Sequence, residues 1–336
     1  MNISEFAKIA GVSRSAVSRY FNDGYLSEDK KKQIEEAIEK TGYAPSLAAR
    51  NTSNRVTKLV GVIIPKLSSE SCARVTEGIS AVLDKEGYKL LLVNTANDHR
   101  REVESLELFR KNRVDGVILL GTVFTDLHKA VLNKMHVPVI IVGQQLKGFS
   151  CICHNDTGAA KALTKLMIEK GGKRPAMIAV TQDDLSAGKA RVDGFKSALD
   201  ESGIKFGEKS VEISDFTIDS GYMAAKRLFS RPLKPDCILC ATDTIAAGAA
   251  LYCREANIKI PDDVMLCGIG CAKIGRTAYP SITTARLHYK TAGMEAANML
   301  LSTVKHRDSI QRVMELDYDL VERESTGGTS DIGIWE

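Results

Sequence analysis

Two arginines and two serines near the start of the chain could read the edges of base pairs in DNA. They lie in the segment GVSRSAVSRYFN, residues 11–22. If residues 14–21 form a helix, Arg14, Ser15 and Ser18 lie on its outer face near the N-terminus, the part that enters a major groove. Arginine can bind a guanine edge with two hydrogen bonds, and serine can donate or accept at several bases. The segment therefore predicts a DNA-reading helix, although a short solvated helix that caps a larger fold would have the same pattern.

Three short helices over residues 1–43 are expected to position this segment. Ser13 is suited to cap the second helix, Ser27 to begin the third, and Gly42 to end it in a left-handed conformation. The first 60 residues carry ten Lys and Arg against seven Asp and Glu, a net of +3, whereas the remaining 276 carry 36 against 35, a net of +1. This excess favours an anionic partner for the N-terminal region. The residues suited to base or phosphate contacts here are Ser13, Arg14, Ser15, Ser18, Arg19, Asn22, Ser27 and Lys30.

A different pattern begins at residue 59, where short β-branched runs such as LVGVIIP, GVILLG and VPVIIVG alternate with amphipathic helical segments. Continuous apolar strands separated by helices indicate parallel sheets covered on both faces. These units are too many for one small sheet, and a break near residues 143–157 suggests two doubly wound subdomains. A late helix over 289–304, followed by VMELDY as a strand, suggests that the chain returns to the first subdomain. We therefore predict an all-α helix-turn-helix unit followed by an α/β domain of two doubly wound parallel-sheet subdomains.

The N-terminal segment ISEFAKIAGVSRSAVSRYFN, with GYLSEDKKKQIEEAIEKTGYAPS behind it, resembles the DNA-binding headpiece of the LacI family of transcription regulators. The later α/β pattern is similar to the effector domain of that family, which is periplasmic-binding-protein-like, so the resemblance covers residues 1 to about 328. It implies a homodimer in which each headpiece reads one half-site of a pseudo-palindromic operator. The positions that fall on the family consensus are Glu5, Ala7, Ala10, Gly11, Val12, Ser13, Val17, Ser18, Arg19, Asn22, Gly42, Tyr43 and Pro45.

The resemblance also implies a division of the chain into domains. The predicted parts are a helix-turn-helix headpiece at 1–44, a hinge helix or linker at 45–58, an effector N-subdomain at 59–157 and 287–317, a C-subdomain at 158–286 and 318–328, and a tail at 329–336.

The predicted hinge departs from the family pattern at one position. Family members insert a leucine from the hinge helix between central base pairs of the operator, and Thr52 stands at that position here. Because threonine cannot supply the same apolar wedge, we expect a weaker or differently placed kink, with Leu47 or Ala49 packed in the groove. The residues expected to contact DNA in this segment are Ser46, Leu47, Ala49, Arg50 and Thr52.

Two facing subdomains would form a cleft at the C-terminal ends of their strands, where α/β sheets bind ligands. Hydroxyl groups there suit sugar recognition, and Lys and Arg suit an anion such as phosphate. The alternatives are helix capping for the serines, a solvated surface for the lysines and core packing for the aromatics. Arg191 matches the family position that grips effector hydroxyls. The expected effector-binding residues are Lys66, Ser69, Ser71, Lys189, Arg191, Phe216, Thr242, Asp243, Gly270 and Tyr289.

The cleft also departs from the family pattern. The family's GYDD is GIGC at residues 268–271, which removes a carboxylate, and its acidic Asp-Asn pair is His154–Asn155. Several stretches, including SAGKAR and LCATDTIAAGA, resemble the trehalose- and sucrose-operon repressors. Together with Lys66 and Lys189 these features favour a disaccharide phosphate such as trehalose 6-phosphate, with a neutral sugar such as sucrose as the alternative.

Other functions are disfavoured by what the sequence lacks. The stretch GIGCAKIG imitates a dinucleotide fingerprint, but Lys273 stands where the third glycine would be, so we predict neither an enzyme nor a cofactor. The six histidines form no pair at i,i+4 spacing, and Cys237 and Cys240 would point to opposite faces of a strand, so we predict no metal. A stand-alone sugar-binding protein would carry a signal peptide and no headpiece. No signal or membrane-spanning segment is recognisable, so we expect a cytoplasmic protein.

Overall fold

The computed structural model describes residues 1–21, 24–43, 57–207, 210–306 and 310–329. The chain divides into two compact units, residues 1–57 and residues 58–336. Each unit has its own hydrophobic core.

The first unit contains three helices, α1 (Ile3–Ile9), α2 (Arg14–Tyr20) and α3 (Glu28–Thr41). Asn2 caps α1 by accepting hydrogen bonds from the backbone amides of Ser4 and Glu5, and the Glu5 carboxylate accepts a hydrogen bond from the Asn2 backbone amide. The Ser13 hydroxyl caps α2 by accepting from the Ala16 amide at 3.2 Å, as the sequence predicts. Ser27 occupies the N-cap position of α3 in an extended conformation, but its side chain makes no capping hydrogen bond.

The three helices enclose a small core that is rich in aromatic rings. Phe6 stacks on Tyr43 with ring centroids 4.2 Å apart, and Phe21 meets both rings at steeper angles. Val17 and Ile34 are fully buried beside them. The apolar positions of each helix therefore point inward, which leaves the polar positions of α2 on the surface.

Gly42 ends α3 in the left-handed region, with φ of +61°, and its amide donates to the Ile38 carbonyl. The sequence prediction of a left-handed cap is thus confirmed. We expect Gly42→Ala to lower the free energy of unfolding of the first unit by about 1 kcal/mol, because alanine is strained there although no neighbour would contact its Cβ. Thermal unfolding followed by circular dichroism would measure this. Gly42→Asn should cost less, and a Gly42→Ala protein as stable as the wild type would contradict the interpretation.

The second unit is built on two sheets that repeat one pattern. The described strands are β1 (Leu59–Ile64), β2 (Lys89–Asn94), β3 (Gly116–Leu120), β4 (Val139–Gly143), β5 (Ser150–His154), β6 (Pro175–Ala179), β7 (Val211–Ile213), β8 (Cys237–Cys240), β9 (Met265–Ile269), β10 (Thr283–Leu287), β11 (Val313–Leu316) and β12 (Tyr318–Val321). The first sheet has the order β11-β5-β4-β3-β1-β2 and is parallel throughout the described strands. The second sheet has the order β12-β10-β9-β8-β6-β7 and is parallel except for its edge strand β12.

Helices cover both faces of these sheets, and the late helix predicted over 289–304 is observed at Tyr289–His306. The helices are α4 (Glu70–Lys85), α5 (His99–Lys111), α6 (Asp126–Leu132), α7 (Asp156–Glu169), α8 (Arg191–Glu201), α9 (Ile218–Phe229), α10 (Asp243–Glu255), α11 (Lys273–Thr277) and α12 (Tyr289–His306). One π-helical turn, Leu185–Ala190, leads directly into α8. The central strands are buried on both sides, which explains their continuous apolar runs.

Two details differ from the sequence prediction. The stretch 143–157, expected as a break, contains β5, which pairs with β4 on one side and β11 on the other. The run VMELDY is not one strand, because Val313–Leu316 joins the first sheet and Tyr318–Val321 joins the second. Short strands flanked by turn-forming residues are specified by their tertiary partners more than by local sequence.

The chain passes between the two sheets three times, at residues 155, 288 and 317. Hydrogen bonds connect these crossovers: the Asn155 amide nitrogen Nδ2 donates to Asp317 Oδ1 at 3.3 Å, and the Asn155 backbone amide donates to the Leu316 carbonyl at 2.9 Å. His288 Nε2 lies 3.5 Å from Asp319 Oδ2. The crossovers therefore form one hydrogen-bonded region, through which any movement of one sheet relative to the other must act.

The cysteines of the chain are buried free thiols. Cys237 and Cys240 lie at the two ends of β8, and burial raises the pKa of both thiols. Within the described residues, no helix is long and apolar enough to span a lipid bilayer.

Candidate DNA-contacting helix and ligand cleft

Helix α2 presents its predicted DNA-contacting residues on an exposed face. Arg14, Ser15, Ser18 and Arg19 are all exposed, whereas Ala16 and Val17 between them are buried. Since Arg14 and Ser15 are the first residues of the helix, their side chains lie at the end that a recognition helix directs into a groove.

The remaining predicted DNA contacts divide into two groups. Ser13, Ser27 and Lys30 are exposed at the beginnings of α2 and α3, and the Ser13 hydroxyl also lies 2.9 Å from that of Ser15. The second group lies outside the described residues: Asn22, Ser46, Leu47, Ala49, Arg50 and Thr52.

A cavity of about 680 Å³ opens between the C-terminal ends of the strands of the two sheets. It lies at the loops after β1 and β3 in one sheet and after β6 and β8 in the other, which are the neighbouring strands between which the strand order reverses in each sheet. This volume is typical of a small-molecule site. The predicted effector residues that line it are Lys66, Ser69, Ser71, Arg191, Phe216, Thr242, Asp243, Gly270 and Tyr289.

Lys189 is the exception, because it is not among the described residues that line the cavity. Its ammonium group lies 2.6 Å from the Asp193 carboxylate on the protein surface, and its side chain is 52% exposed. Helical residues two apart point in very different directions, so Lys189 and Arg191 do not share a face. The geometry therefore corrects the assignment of Lys189 as an anion ligand.

Arg191 is almost completely enclosed, with 4% of its surface exposed. Its Nε and Nη2 atoms lie 2.8 and 2.7 Å from Asp156 Oδ1, and Nη1 donates to the Ala241 carbonyl. Burial disfavours the charged guanidinium, but the Asp156 carboxylate outweighs it, so the pKa of Arg191 lies above its usual range. Arg191 is thus held rigidly as a cation, with much of its charge offset by Asp156.

Tyr289 joins the two sides of the cavity at the start of α12. Its ring meets His154 edge-on at 5.1 Å, and the Arg74 guanidinium lies 5.7 Å from the ring centroid. Burial raises the pKa of the Tyr289 hydroxyl, and the positive charge of Arg191 partly offsets this rise. Arg74 also donates to the Gly270 carbonyl at 3.2 Å, which fixes one charged side chain across the cleft.

Buried carboxyl groups line the other side of the cavity. Asp243 accepts a hydrogen bond of 2.6 Å from the Ala272 amide, and Asp184 accepts bonds from the Ser186 and Ala187 amides. Burial raises the pKa of both carboxyls. Thr242 uses its hydroxyl to cap α10 and also lines the cavity, so the capping and ligand interpretations are compatible.

The charges around the cavity differ from those the sequence predicts. Among the described lining residues, three are basic and five are acidic. The acidic members, apart from Asp243, were not predicted; neither was Arg74, since its position on an amphipathic helix gives no local signal. For His154, the sequence indicated only that a histidine replaces the aspartate of the family pattern. The basic residues are Lys66, Arg74 and Arg191, and the acidic residues are Glu70, Asp156, Asp184, Asp219 and Asp243.

A second polar cluster lies between α5 and α6, where tertiary packing brings together His99, Glu102 and His128. His128 Nδ1 accepts a bond of 3.2 Å from the Thr125 amide, so its ring proton is on Nε2, which lies 3.1 Å from the Glu102 carboxylate. The Nε2 atom therefore donates to Glu102 and offers no lone pair to a metal ion. Sequence spacing missed this cluster, because its histidines come from two different helices.

Comparisons with known proteins agree with this architecture. The family described as "Bacterial regulatory proteins, lacI family" matches residues 2–46, and the family described as "Periplasmic binding proteins and sugar binding domain of LacI family" matches residues 57–324. The chain is 31% identical over 313 residues to the sucrose operon repressor of Staphylococcus xylosus, covering 93% of this chain and 97% of the relative.

Two solved structures extend the comparison. The complex of the transcriptional regulator CelR with cellobiose is 26% identical, with a TM-score of 0.76, and the match covers 97% of this chain and 99% of that one. The Lac repressor dimer bound to operator and an anti-inducer has a TM-score of 0.83 at 19% identity, over 97% and 99% of the two chains, and so shows the shared fold.

The matches confirm both the predicted fold class and the prediction of a regulator rather than an enzyme. With a helix-turn-helix unit that presents Arg14 and Arg19 and a second unit that encloses a ligand-sized cleft, the chain belongs to the LacI family of DNA-binding bacterial regulatory proteins.

Proposed function

We propose that this regulator represses a carbohydrate-utilisation operon and that a small sugar or sugar phosphate controls its affinity for DNA. It acts as a homodimer, with each helix-turn-helix unit on one half-site of a pseudo-palindromic operator. The observation that carries the proposal is the cavity at the strand ends, which combines fixed charged groups, hydroxyls and aromatic rings. The sucrose operon repressor and the cellobiose complex among its relatives support a sugar as the ligand.

The chemistry of the cavity suits a polyhydroxylated ligand. Arg191 is held by Asp156, so it can donate to sugar hydroxyls while Asp156 remains neutralised. Phe216 and Tyr289 offer aromatic surface to the apolar face of a sugar ring. Ser69 and Ser71, whose hydroxyls are 2.8 Å apart, can each donate or accept.

Two kinds of sugar remain candidates, and different residues favour each. Lys66 and Arg74 favour a disaccharide phosphate such as trehalose 6-phosphate. The acidic side chains that Arg191 does not neutralise favour a neutral disaccharide such as sucrose, since ionised carboxylates repel a phosphate dianion. The binding of a phosphate therefore depends on whether it can lie beside Lys66 and away from the carboxylates.

Calorimetry with trehalose 6-phosphate, sucrose 6-phosphate and their parent sugars tests this proposal. If a sugar phosphate is the effector, we expect Lys66→Met to weaken its binding about tenfold, because a charge-assisted hydrogen bond is lost. Lys189→Met is the matched control and should leave binding unchanged, because Lys189 pairs with Asp193 outside the cavity. Equal losses in both variants would contradict the assignment of Lys66, and binding of none of the four sugars would overturn the proposed effector class.

The effect on DNA would follow from coupling between two sites. A ligand that binds the two sheets differently in two arrangements shifts the balance between them, and the crossovers at 155, 288 and 317 are where that movement must occur. Measuring operator affinity with and without the bound sugar shows whether the sugar releases or recruits the protein.

A further inference from the structure

The His154 imidazole provides a hydrogen-bond acceptor that no residue in the described part of the chain uses. His154 is the last residue of β5, it lines the cavity, and only 8% of its surface is exposed. Its Nε2 atom is buried and has no hydrogen-bond partner among the described residues. A buried polar atom without a partner destabilises the protein, so a ligand that supplies a partner gains binding free energy.

The other atoms of the ring hold it in place. The His288 backbone makes a hydrogen bond to the His154 imidazole, and this bond favours the protonated imidazole. A bond with that effect is one in which the His288 carbonyl accepts from a ring N–H. Since Nε2 is the unpartnered nitrogen, the bonded one is Nδ1, which carries the proton. The edge-on contact with Tyr289 fixes the ring plane at 5.1 Å. The lone pair of Nε2 therefore points in a fixed direction.

The charges around the ring keep it neutral. Burial is the main cause that lowers the pKa of His154, and the positive charge of Arg191 acts in the same direction. The Asp156 carboxylate opposes them, but Arg191 already pairs with it. At neutral pH the unused nitrogen is therefore an acceptor and not a donor.

We propose that Nε2 of His154 accepts a hydrogen bond from a hydroxyl group of the bound effector. This inference rests on the proposed sugar-binding function and specifies it further. An ionised phosphate oxygen carries no proton to donate, and its charge would face a lone pair. The sugar therefore turns a hydroxyl to His154, and any phosphate group that it carries lies elsewhere in the cavity.

The position of His154 links this hydrogen bond to the movement of the two sheets. His154 directly precedes the first crossover, and its ring bonds to the backbone at the second crossover. Nε2 is covered by its neighbours in this conformation, so a hydroxyl reaches it only when these segments shift. The same contact thus favours the ligand-bound arrangement of the crossovers.

Two variants separate the acceptor from the rest of the ring. His154→Asn keeps a polar group near the Nδ1 position and removes the acceptor at Nε2, whereas His154→Gln places an amide oxygen near the Nε2 position. Calorimetry at pH 7.5 uses sucrose, sucrose 6-phosphate, trehalose and trehalose 6-phosphate, and both variants are compared with wild type for each sugar that binds. We expect His154→Asn to weaken binding about 10- to 100-fold. His154→Gln should remain within about threefold of wild type.

The pH dependence distinguishes this role from a structural one. Protonation of Nε2 turns the acceptor into a donor, so the affinity of the wild type should be full at neutral pH and fall as the pH drops below the ordinary value of 6.5. This fall should be absent from His154→Gln, which retains Asp156, Asp184, Asp243, Arg191, His288 and Tyr289 around the site. The wild-type and His154→Gln profiles decide the question even if His154→Asn does not fold.

The outcomes are distinct. Unchanged sugar affinity in His154→Asn, or the same pH profile in wild type and His154→Gln, would overturn the role of His154 and leave the proposed function intact. If none of the four sugars binds the wild type, the proposed function fails and this inference fails with it. The circular dichroism spectrum of each variant without sugar, compared with that of the wild type, shows whether the protein is folded.

Discussion

Replacing Arg191 with alanine is expected to destabilise the second unit by about 3–5 kcal/mol and to abolish sugar binding. The substitution leaves the Asp156 carboxylate buried without its partner, and breaking a buried ion pair from one side costs about this much. It also removes the donor to the Ala241 carbonyl at the end of β8. Urea unfolding of the full chain, followed by circular dichroism, measures the change in stability.

Two further variants show whether this loss comes from the uncompensated charge. Arg227→Ala removes one partner of an exposed pair with Glu212 and should cost no more than about 1 kcal/mol. The double variant Arg191→Met with Asp156→Leu removes both buried charges and should regain most of the lost stability while still failing to bind sugar. If Arg191→Ala is as stable as Arg227→Ala, the buried ion pair does not stabilise the second unit as we expect.

Regular elements could be predicted from the sequence because local rules and tertiary packing agree in them. The helices that cover the sheets show clear apolar faces, and strands such as Val139–Gly143 are buried on both sides and read as continuous apolar runs. Strand β5 was missed because its sequence, SCICH, begins and ends with polar residues and follows a turn. Its pairing with strands from distant parts of the chain makes it a strand.

Part of the site could be predicted from a loop that follows a buried strand, as for Lys66, Ser69 and Ser71. Arg191 and Tyr289 were predicted because they match family positions, and all five residues line the cavity. Arg74 and Asp184 were not predicted, because a charged residue in a helix or loop looks the same whether it faces solvent or a cleft. Lys189 was misassigned because it lies two residues from Arg191 in sequence but points in another direction on the helix. A charged residue near a site in sequence is thus a weak predictor of ligand binding until the direction of its side chain is known.

Arg14→Ala is expected to weaken operator binding by roughly 30-fold or more while leaving the fold intact. A bidentate arginine–base contact is worth about 1–3 kcal/mol, and a dimer loses one at each half-site. The stability of the first unit should not fall, because Arg14 is exposed and alanine is the better helix former at this position. The Ser13 cap that begins the helix is also unaffected.

Gel shifts at two salt concentrations, with an operator selected from random DNA, separate base reading from phosphate contact. Arg14→Ala should relax sequence preference at one position of each half-site, so its loss is larger on the operator than on unrelated DNA. Lys30→Ala should weaken binding to both DNAs alike and reduce the salt dependence, as the loss of a phosphate contact does. Lys40→Ala, at the other end of α3, serves as the exposed control and should change neither. If Arg14→Ala behaves like Lys30→Ala, Arg14 holds the DNA backbone, and base reading must come from other residues such as Ser15, Ser18 and Arg19.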